Sequence, residues 1–307
     1  MLAVAVLFAA TALATRRPCA EDTGPMNADA SLCITRTTPA YTLCCRRKQL
    51  VDKSVLTHGR WPDCDALPQL IGGASTPGVR KLFVDVGSNI GACSMLMAAH
   101  GHRVIAFEPV PQTFRALAAG FAANEFAPGA QVTLVNAAAS TRAGAATIMT
   151  QHGNAGNSFT TGARAGTATN SSTIRRGFVS FEIETVKLDD IVHERVDLMK
   201  IDTQGHELKA LQGATRLLST HGIRTLAFEF WPPGMDDVGS SPIELLNFLT
   251  QTGYAIRLMN GTALRPSDFE SFTALVRSGR HEQVAKSWRQ TWTDLVAVAT
   301  HLPAGAE

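Results

Sequence analysis

Apolar and polar positions change texture once along this chain. Between residues 15 and 78 they follow no steady period, and Pro, Thr and Cys are frequent. From Lys81 onward, short apolar runs alternate with longer stretches in which apolar residues return at helical spacing. The runs predict strands over Leu82–Val86, Arg103–Phe107, Gln131–Asn136, Val196–Ile201, Thr225–Phe230, Tyr254–Met259 and Thr293–Ala299. Helices are predicted over Ala92–His100, Pro111–Asn124, Gly205–Ser219 and Pro242–Thr252, with Gly101 as a C-terminal cap of the first. Strands alternating with helices imply right-handed βαβ units, hence an α/β fold whose mostly parallel sheet carries helices on both faces. Residues 151–177 are rich in Gly, Ser, Thr and Asn and predict an exposed, mobile loop, either a linker or a lid over a ligand crevice.

Composition narrows the class. A chain of 307 residues accommodates one large domain with an appendage, or two modest domains. Lys and Arg number 28 against 26 Asp and Glu, and this near balance speaks against nucleic acid as a partner. The main body holds no apolar run of the roughly 18 residues that a spanning helix needs. The first residues, MLAVAVLFAATALA, fit the apolar core of a secretory signal peptide, although the usual basic flank is missing. A signal anchor, an organelle transit peptide or a misplaced start codon are the alternatives, and only a retained segment would give stable membrane association. A secretory or secreted location is therefore expected over a cytoplasmic one.

The cysteines point the same way. Cys19, Cys33, Cys44, Cys45 and Cys64 precede residue 70, and the sixth, Cys93, lies in the first predicted helix. Such crowding resembles disulfide stapling in an oxidising compartment. No C-x-x-C pair supports a metal, so none is expected. Five cysteines in the lead-in leave one thiol free or paired between chains, while Cys93, Met95 and Met97 read as core. Sequons at Asn170 and Asn260 add little.

The chemistry concentrates in LFVDVGSNIGACSMLMAAHGHRVIAFEPVP, Leu82 to Pro111. Gly87 and Gly91 bracket the turn from the first strand into the first helix, where a ligand can reach main-chain N–H groups. The turn lacks the middle glycine of a dinucleotide fingerprint, which counts against a nicotinamide oxidoreductase. Asp85, just before the turn, would repel a phosphate and welcome a cation. Glu108 ends the next strand, where a carboxylate can accept bonds from both hydroxyls of a ribose. Together these residues fit S-adenosylmethionine, which carries adenosine and a positive charge but no phosphate. Asn136, after the third strand, and Ser158, in the long loop, are placed to touch adenine or methionine. A second segment, VKLDDIVHERVDLMKIDTQGHELKALQGA, ends a strand on Asp202 and opens a helix near Gly205. Asp202, His206 and Glu229 are the candidate bases for a methyl acceptor. The helix N-terminus is expected to keep His206 neutral.

Those two segments, with LAFEFWP, resemble the FkbM family of S-adenosylmethionine-dependent methyltransferases from about Lys81 to Phe230. The resemblance implies a Rossmann-like class I methyltransferase sandwich with a seven-stranded, mostly parallel sheet and an antiparallel last strand. It implies residues 79–302 as the methyltransferase domain, after a signal peptide or anchor (1–14) and an irregular Cys-rich lead-in (15–78). Asp85, Gly87, Ser88, Asn89 and Gly91 match the cofactor loop, Glu108 the ribose acid, and Asp202 the aspartate of an I-D-x-E-G segment. Gln204 stands where that segment has glutamate, and glutamine cannot serve as a base. The implied activity is O-methylation of a hydroxyl on a glycan or small metabolite. The alternative is a catalytically impaired cofactor-binding interaction module.

Overall fold

The computed structural model describes residues 8–9, 19, 30–46, 49–74, 79–124, 132–151, 154–160, 178–279 and 291–300. They fall into two units: residues up to 138 with 144–158 and 171–185, and residues 139–143, 159–170 and 186 onward.

The first unit begins with Phe8–Ala9 (β1), a two-residue strand from the signal-like segment. The lead-in, expected to be irregular, contains an antiparallel hairpin of Ala30–Ile34 (β2) and Thr42–Arg46 (β3), followed by the helices Leu50–His58 (α1) and Leu67–Leu70 (α2). Disulfides Cys19–Cys44 and Cys33–Cys45 cross-link the hairpin, and Cys64–Cys93 ties the turn before α2 to the next helix. All six cysteines are thus paired. No thiol is left over, and Cys93 is a bridging residue as well as a buried one.

Leu82–Val86 (β4) is buried at every position, as a central strand covered on both faces must be. It pairs in parallel with Arg103–Phe107 (β5), which pairs in parallel with Val132–Val135 (β6). The strand order in this unit is β1-β6-β5-β4, with β1 antiparallel to β6. Ala92–Ala99 (α3) packs on β4 and β5, and Gly101 follows it in the left-handed region, as expected of a C-terminal cap. Pro111–Ala122 (α4) packs on β3. Just past α4, the Asn124 side chain donates to Thr42 O at 2.8 Å and accepts from Thr42 N at 2.7 Å, pairing with the hairpin as a neighbouring strand would. A separate four-stranded sheet comprises Ala138–Ala139 (β7), Gly144–Gln151 (β8), Asn154–Thr160 (β9) and Phe178–Val186 (β10). The expected loop therefore begins on the last residue of β8 and contains a strand at 154–160, while 152–153 and 161–177 lie outside the described residues.

The second unit starts with the short helix Leu188–Ile191 (α5) and contains Val196–Ile201 (β11), parallel to Ile223–Phe230 (β12), with Glu207–Gln212 (α6) between them. The helix expected over 205–219 is broken at Gly213, where a Cβ would lie 2.1 Å from the Ser140 carbonyl oxygen. Pro232–Asp237 (α7) and Pro242–Gln251 (α8) lead to Tyr254–Leu258 (β13), Ala263–Leu264 (β14) and Phe269–Arg277 (α9). Thr293–Ala299 (β15) is antiparallel to both β12 and β13 and lies between them, so the last strand is reversed as expected. All seven predicted strands form, and the arrangement is Rossmann-like α/β; β1 and β14 are additional. Among the described residues, no helix is long and apolar enough to cross a membrane.

Tyr254 ties β13 to the start of β12: its buried hydroxyl donates to Ile223 O at 2.7 Å and accepts from Ile223 N at 3.3 Å. Tyr254→Phe removes both bonds without a cavity. It should lower unfolding free energy by roughly 1–2 kcal/mol in denaturant titration; an unchanged midpoint would show that the bonds contribute nothing.

Candidate active site

In the first unit the chain turns sharply after β4. Gly87 N and Ser88 N both donate to Phe107 O, at 3.0 and 2.9 Å, so the turn is pinned to the end of β5. Gly87 and Gly91 have φ of 86°, and Asn89 between them takes φ 52°, a left-handed conformation that Asn tolerates better than most residues. At Gly91 the need for glycine is also steric, because a Cβ would sit 2.3 Å from Leu117 Cδ1. Asp85 is fully buried and accepts from Ser94 Oγ at 2.5 Å, while Ser88 Oγ donates to Asp85 O at 2.9 Å.

Glu108 is the hub. Its Oε2 accepts from Asn89 N and its Oε1 from Val110 N, each at 2.9 Å. Burial pushes its pKa up to about 7 from an ordinary 4.5, opposed by those two amides and by Arg46, and reinforced by Asp85. Asn136 donates to the carbonyls of Glu108 and Pro109, at 2.8 and 3.2 Å, so it braces the chain after β5. The structure brings together Asp85, Gly87, Ser88, Asn89, Gly91, Glu108 and Asn136. The N–H groups of Gly87, Ser88 and Asn89, expected to meet a ligand, are instead bonded within the chain, to Phe107 O and to Glu108, so what this cluster offers an adenosyl cofactor is its two buried carboxylates, Asp85 and Glu108. Ser158 lies on β9.

Sequence reasoning missed Arg46. Its guanidinium is buried, pairs with Asp52 at 3.1 Å and donates to Asn89 Oδ1 at 3.4 Å. The first basic residue of Cys44-Cys45-Arg46-Arg47-Lys48 carries little local signal, because two of its side-chain partners, Asn89 and Thr113, come from distant parts of the chain.

The second unit gathers the candidate bases. Asp202 follows β11; its Oδ2 accepts from Lys200 Nζ at 3.2 Å and its Oδ1 from Gln204 Nε2 at 2.8 Å. Gln204, at φ 55°, donates from the same nitrogen to Glu229 Oε2 at 2.9 Å, and so bridges two carboxylates. Burial raises the Glu229 pKa well above 4.5, and Asp202, Glu207 and Asp294 add to the rise, while Lys200 opposes it. Gly205 cannot carry a side chain, since a Cβ would lie 2.5 Å from Gly234 O. Glu207, also unanticipated, is fully buried and accepts from Thr203 N, Thr203 Oγ1 and Gly205 N, closing the turn before α6. Burial lifts its pKa to about 7.

His206 is held neutral, but by burial first and the Lys209 charge second, which bring its pKa down to about 4. Its Nδ1 lies 3.5 Å from Lys209 Nζ. An ammonium only donates, so Nδ1 accepts and the ring proton sits on Nε2.

The sequence profile described as "Methyltransferase FkbM domain" matches residues 85–256. Among solved structures, methyltransferase FkbM from Methylobacillus flagellatus KT is 17% identical with a TM-score of 0.40, the match covering 71% of this chain and 43% of that one. The chain thus spans less than half the length of that relative. Magnesium protoporphyrin IX methyltransferase from Synechocystis PCC 6803, solved with bound SAM, is 13% identical with a TM-score of 0.42, covering 82% and 84%. Phosphoethanolamine N-methyltransferase 2 from Haemonchus contortus, in complex with S-adenosyl-L-methionine, is 12% identical with a TM-score of 0.38, covering 79% and 53%. No curated protein matches the chain.

Glu108 gives a test of the cofactor site. With a pKa of about 7, the group is partly protonated near neutrality, and a bound cation with ribose donors favours the ionised form. S-adenosylmethionine binding near that pH should therefore release protons, measured by calorimetry in buffers of different ionisation enthalpy. Glu108→Ala should abolish the release and weaken binding by roughly 1–3 kcal/mol. Binding by the unmodified chain with no proton release would remove Glu108 from the ribose.

Proposed function

The chain belongs to the FkbM family of S-adenosylmethionine-dependent methyltransferases, and from that premise we propose that it O-methylates a hydroxyl of a glycan or small metabolite. The observation that carries the reading is the Glu108 carboxylate, fixed by the Asn89 and Val110 amides at the carboxyl end of β5. Ligands of open α/β sheets bind at these strand ends. When bound, the cofactor supplies an electrophilic methyl group on a sulfonium.

The chain's own residues bind, orient and handle the proton. Glu108 takes the ribose hydroxyls, and Asp85 provides negative charge behind the turn. In the second unit Glu229 is the base. A hydroxyl is a poor nucleophile, and a carboxylate whose pKa is raised, as at Glu229, is better matched to its proton than an ordinary one. The acceptor proton passes to Glu229 and from there to water. Gln204 and Asp202 orient Glu229, and the Gln204 amide donates where a third carboxylate would repel. An oxygen acceptor is favoured over a nucleic-acid amine because the chain reads Asp202-Thr203-Gln204-Gly205 where an amino-methylating motif would stand. The near-neutral charge agrees. The three disulfides favour a secretory or extracellular location.

Three measurements test this reading. Methyl-labelled cofactor should transfer label to hydroxylated acceptors, and Glu229→Gln should cut kcat/KM at least about tenfold, or 1.4 kcal/mol, with cofactor affinity intact. Because the base must be ionised, the rate should rise with pH through the raised Glu229 pKa, placing the acid limb well above pH 4.5. Cofactor binding with no transfer to any acceptor would favour the interaction-module reading, which the Gln204 replacement supports. Non-reducing peptide mapping of the chain from its native location should recover Cys64–Cys93. A fully reduced chain there would overturn the secretory assignment.

A further inference from the structure

Arg46 ends β3, in the lead-in that precedes the family match at 85–256. It is only 3% exposed. Nε and Nη2 face the two Asp52 oxygens at 3.1 and 3.4 Å. Nη1 donates to Thr113 Oγ1 in the first turn of α4, at 3.2 Å, and Nη2 to Asn89 Oδ1 in the glycine turn, at 3.4 Å. The two backbone amides that grip Glu108 belong to Asn89 itself and to Val110, which caps α4. One guanidinium is therefore joined to both walls of the pocket that fixes the Glu108 carboxylate.

We propose that Arg46 is a positioning residue for the cofactor: it holds the left-handed Asn89 and the first turn of α4 so that Glu108 is preset for the ribose hydroxyls. The proposal rests on reading this pocket as the S-adenosylmethionine site. A planar guanidinium suits the task because its rigid fork reaches three acceptor side chains at once, which an ammonium does not match. Asp52 orients the fork and also accepts from the Arg46 backbone amide. Cys44 and Cys45, bonded to Cys19 and Cys33, immediately precede Arg46, so the strand that presents it is cross-linked. A segment outside the family span thereby supplies part of the cofactor site.

The charge has a separate, measurable effect. Glu108 feels the charges of Arg46 from β3 and Asp85 from β4; Asp52 of α1 pairs with Arg46, and among the described residues Glu108 also accepts from the neutral Asn89 and Val110 amides. Arg46 opposes the upward push of burial and Asp85. Removing its charge should make Glu108 titrate higher, which a purely structural role would not predict.

Calorimetric titration of the full chain with S-adenosylmethionine, from about pH 5 to pH 9, tests this. In the unmodified chain, affinity should rise through a midpoint near 7. Arg46→Lys keeps the charge and loses the fork; affinity should fall roughly fivefold with the midpoint unmoved. Arg46→Gln should weaken binding similarly and move the midpoint up by about half a pH unit or more. If Arg46→Gln fails to fold with Asp52 left buried, the double variant Arg46→Gln/Asp52→Asn carries the same test. Unchanged affinity and midpoint in both the Lys and Gln variants would overturn the role of Arg46. An unmodified chain that does not bind S-adenosylmethionine would instead overturn the cofactor reading beneath it.

Discussion

The first unit depends on a carboxylate held in the wrong medium. Glu108 is buried, where ionisation is costly, yet two amides donate to it and the Arg46 charge lies near enough to favour its ionised form. The compensation is incomplete, and the group is left near a pKa of 7. Fuller compensation would leave a carboxylate satisfied by the protein alone, with less to gain from a ligand. The turn geometry follows from the same constraint. The Asn89 amide reaches Oε2 from a left-handed residue, and Gly87 and Gly91 supply the positive φ values that put it there.

In the second unit the problem is repulsion. Asp202, Glu207 and Asp294 all add to the cost of ionising Glu229, and Lys200 is the cation that opposes them. Glutamate at position 204 would add another negative charge to this group. Glutamine instead donates to Asp202 and Glu229 from one amide nitrogen. The departure from the family pattern, which in sequence reads as a lost base, is in structure a neutral clamp on two acids. Glu207 meets the neighbouring need by accepting three bonds from the 203–205 turn.

What could be read in the sequence was local. The seven strands, the glycine turn, the acid at the end of β5 and the reversed β15 follow from apolar period and residue type within short windows, with family likeness supplying the topology. The failures were long-range. Asn154–Thr160 has the composition of a loop and becomes a strand only through partners in its sheet. Cys93 reads as core because nothing near it announces Cys64. The bonds of the candidate residues were not legible either: the Asn136 amide braces the backbone after β5, which no local pattern announces.

Arg46 makes the same point about energy. A buried ion pair is weak support for stability, since apolar residues of similar volume often do as well. The pair with Asp52 therefore calls for an explanation other than strength. An apolar replacement would fill the space, but it would take a donor from Thr113 and Asn89 and a positive charge that favours the ionised form of Glu108. Specificity of position is what such a pair can supply and a hydrophobic pair cannot. The disulfides around Cys44 and Cys45 have a matching consequence, for they hold the one strand whose last residue must stay in register with the cofactor loop. With Arg46 as the proposed positioning residue, the functional boundary of the site lies tens of residues before the point where the family resemblance begins.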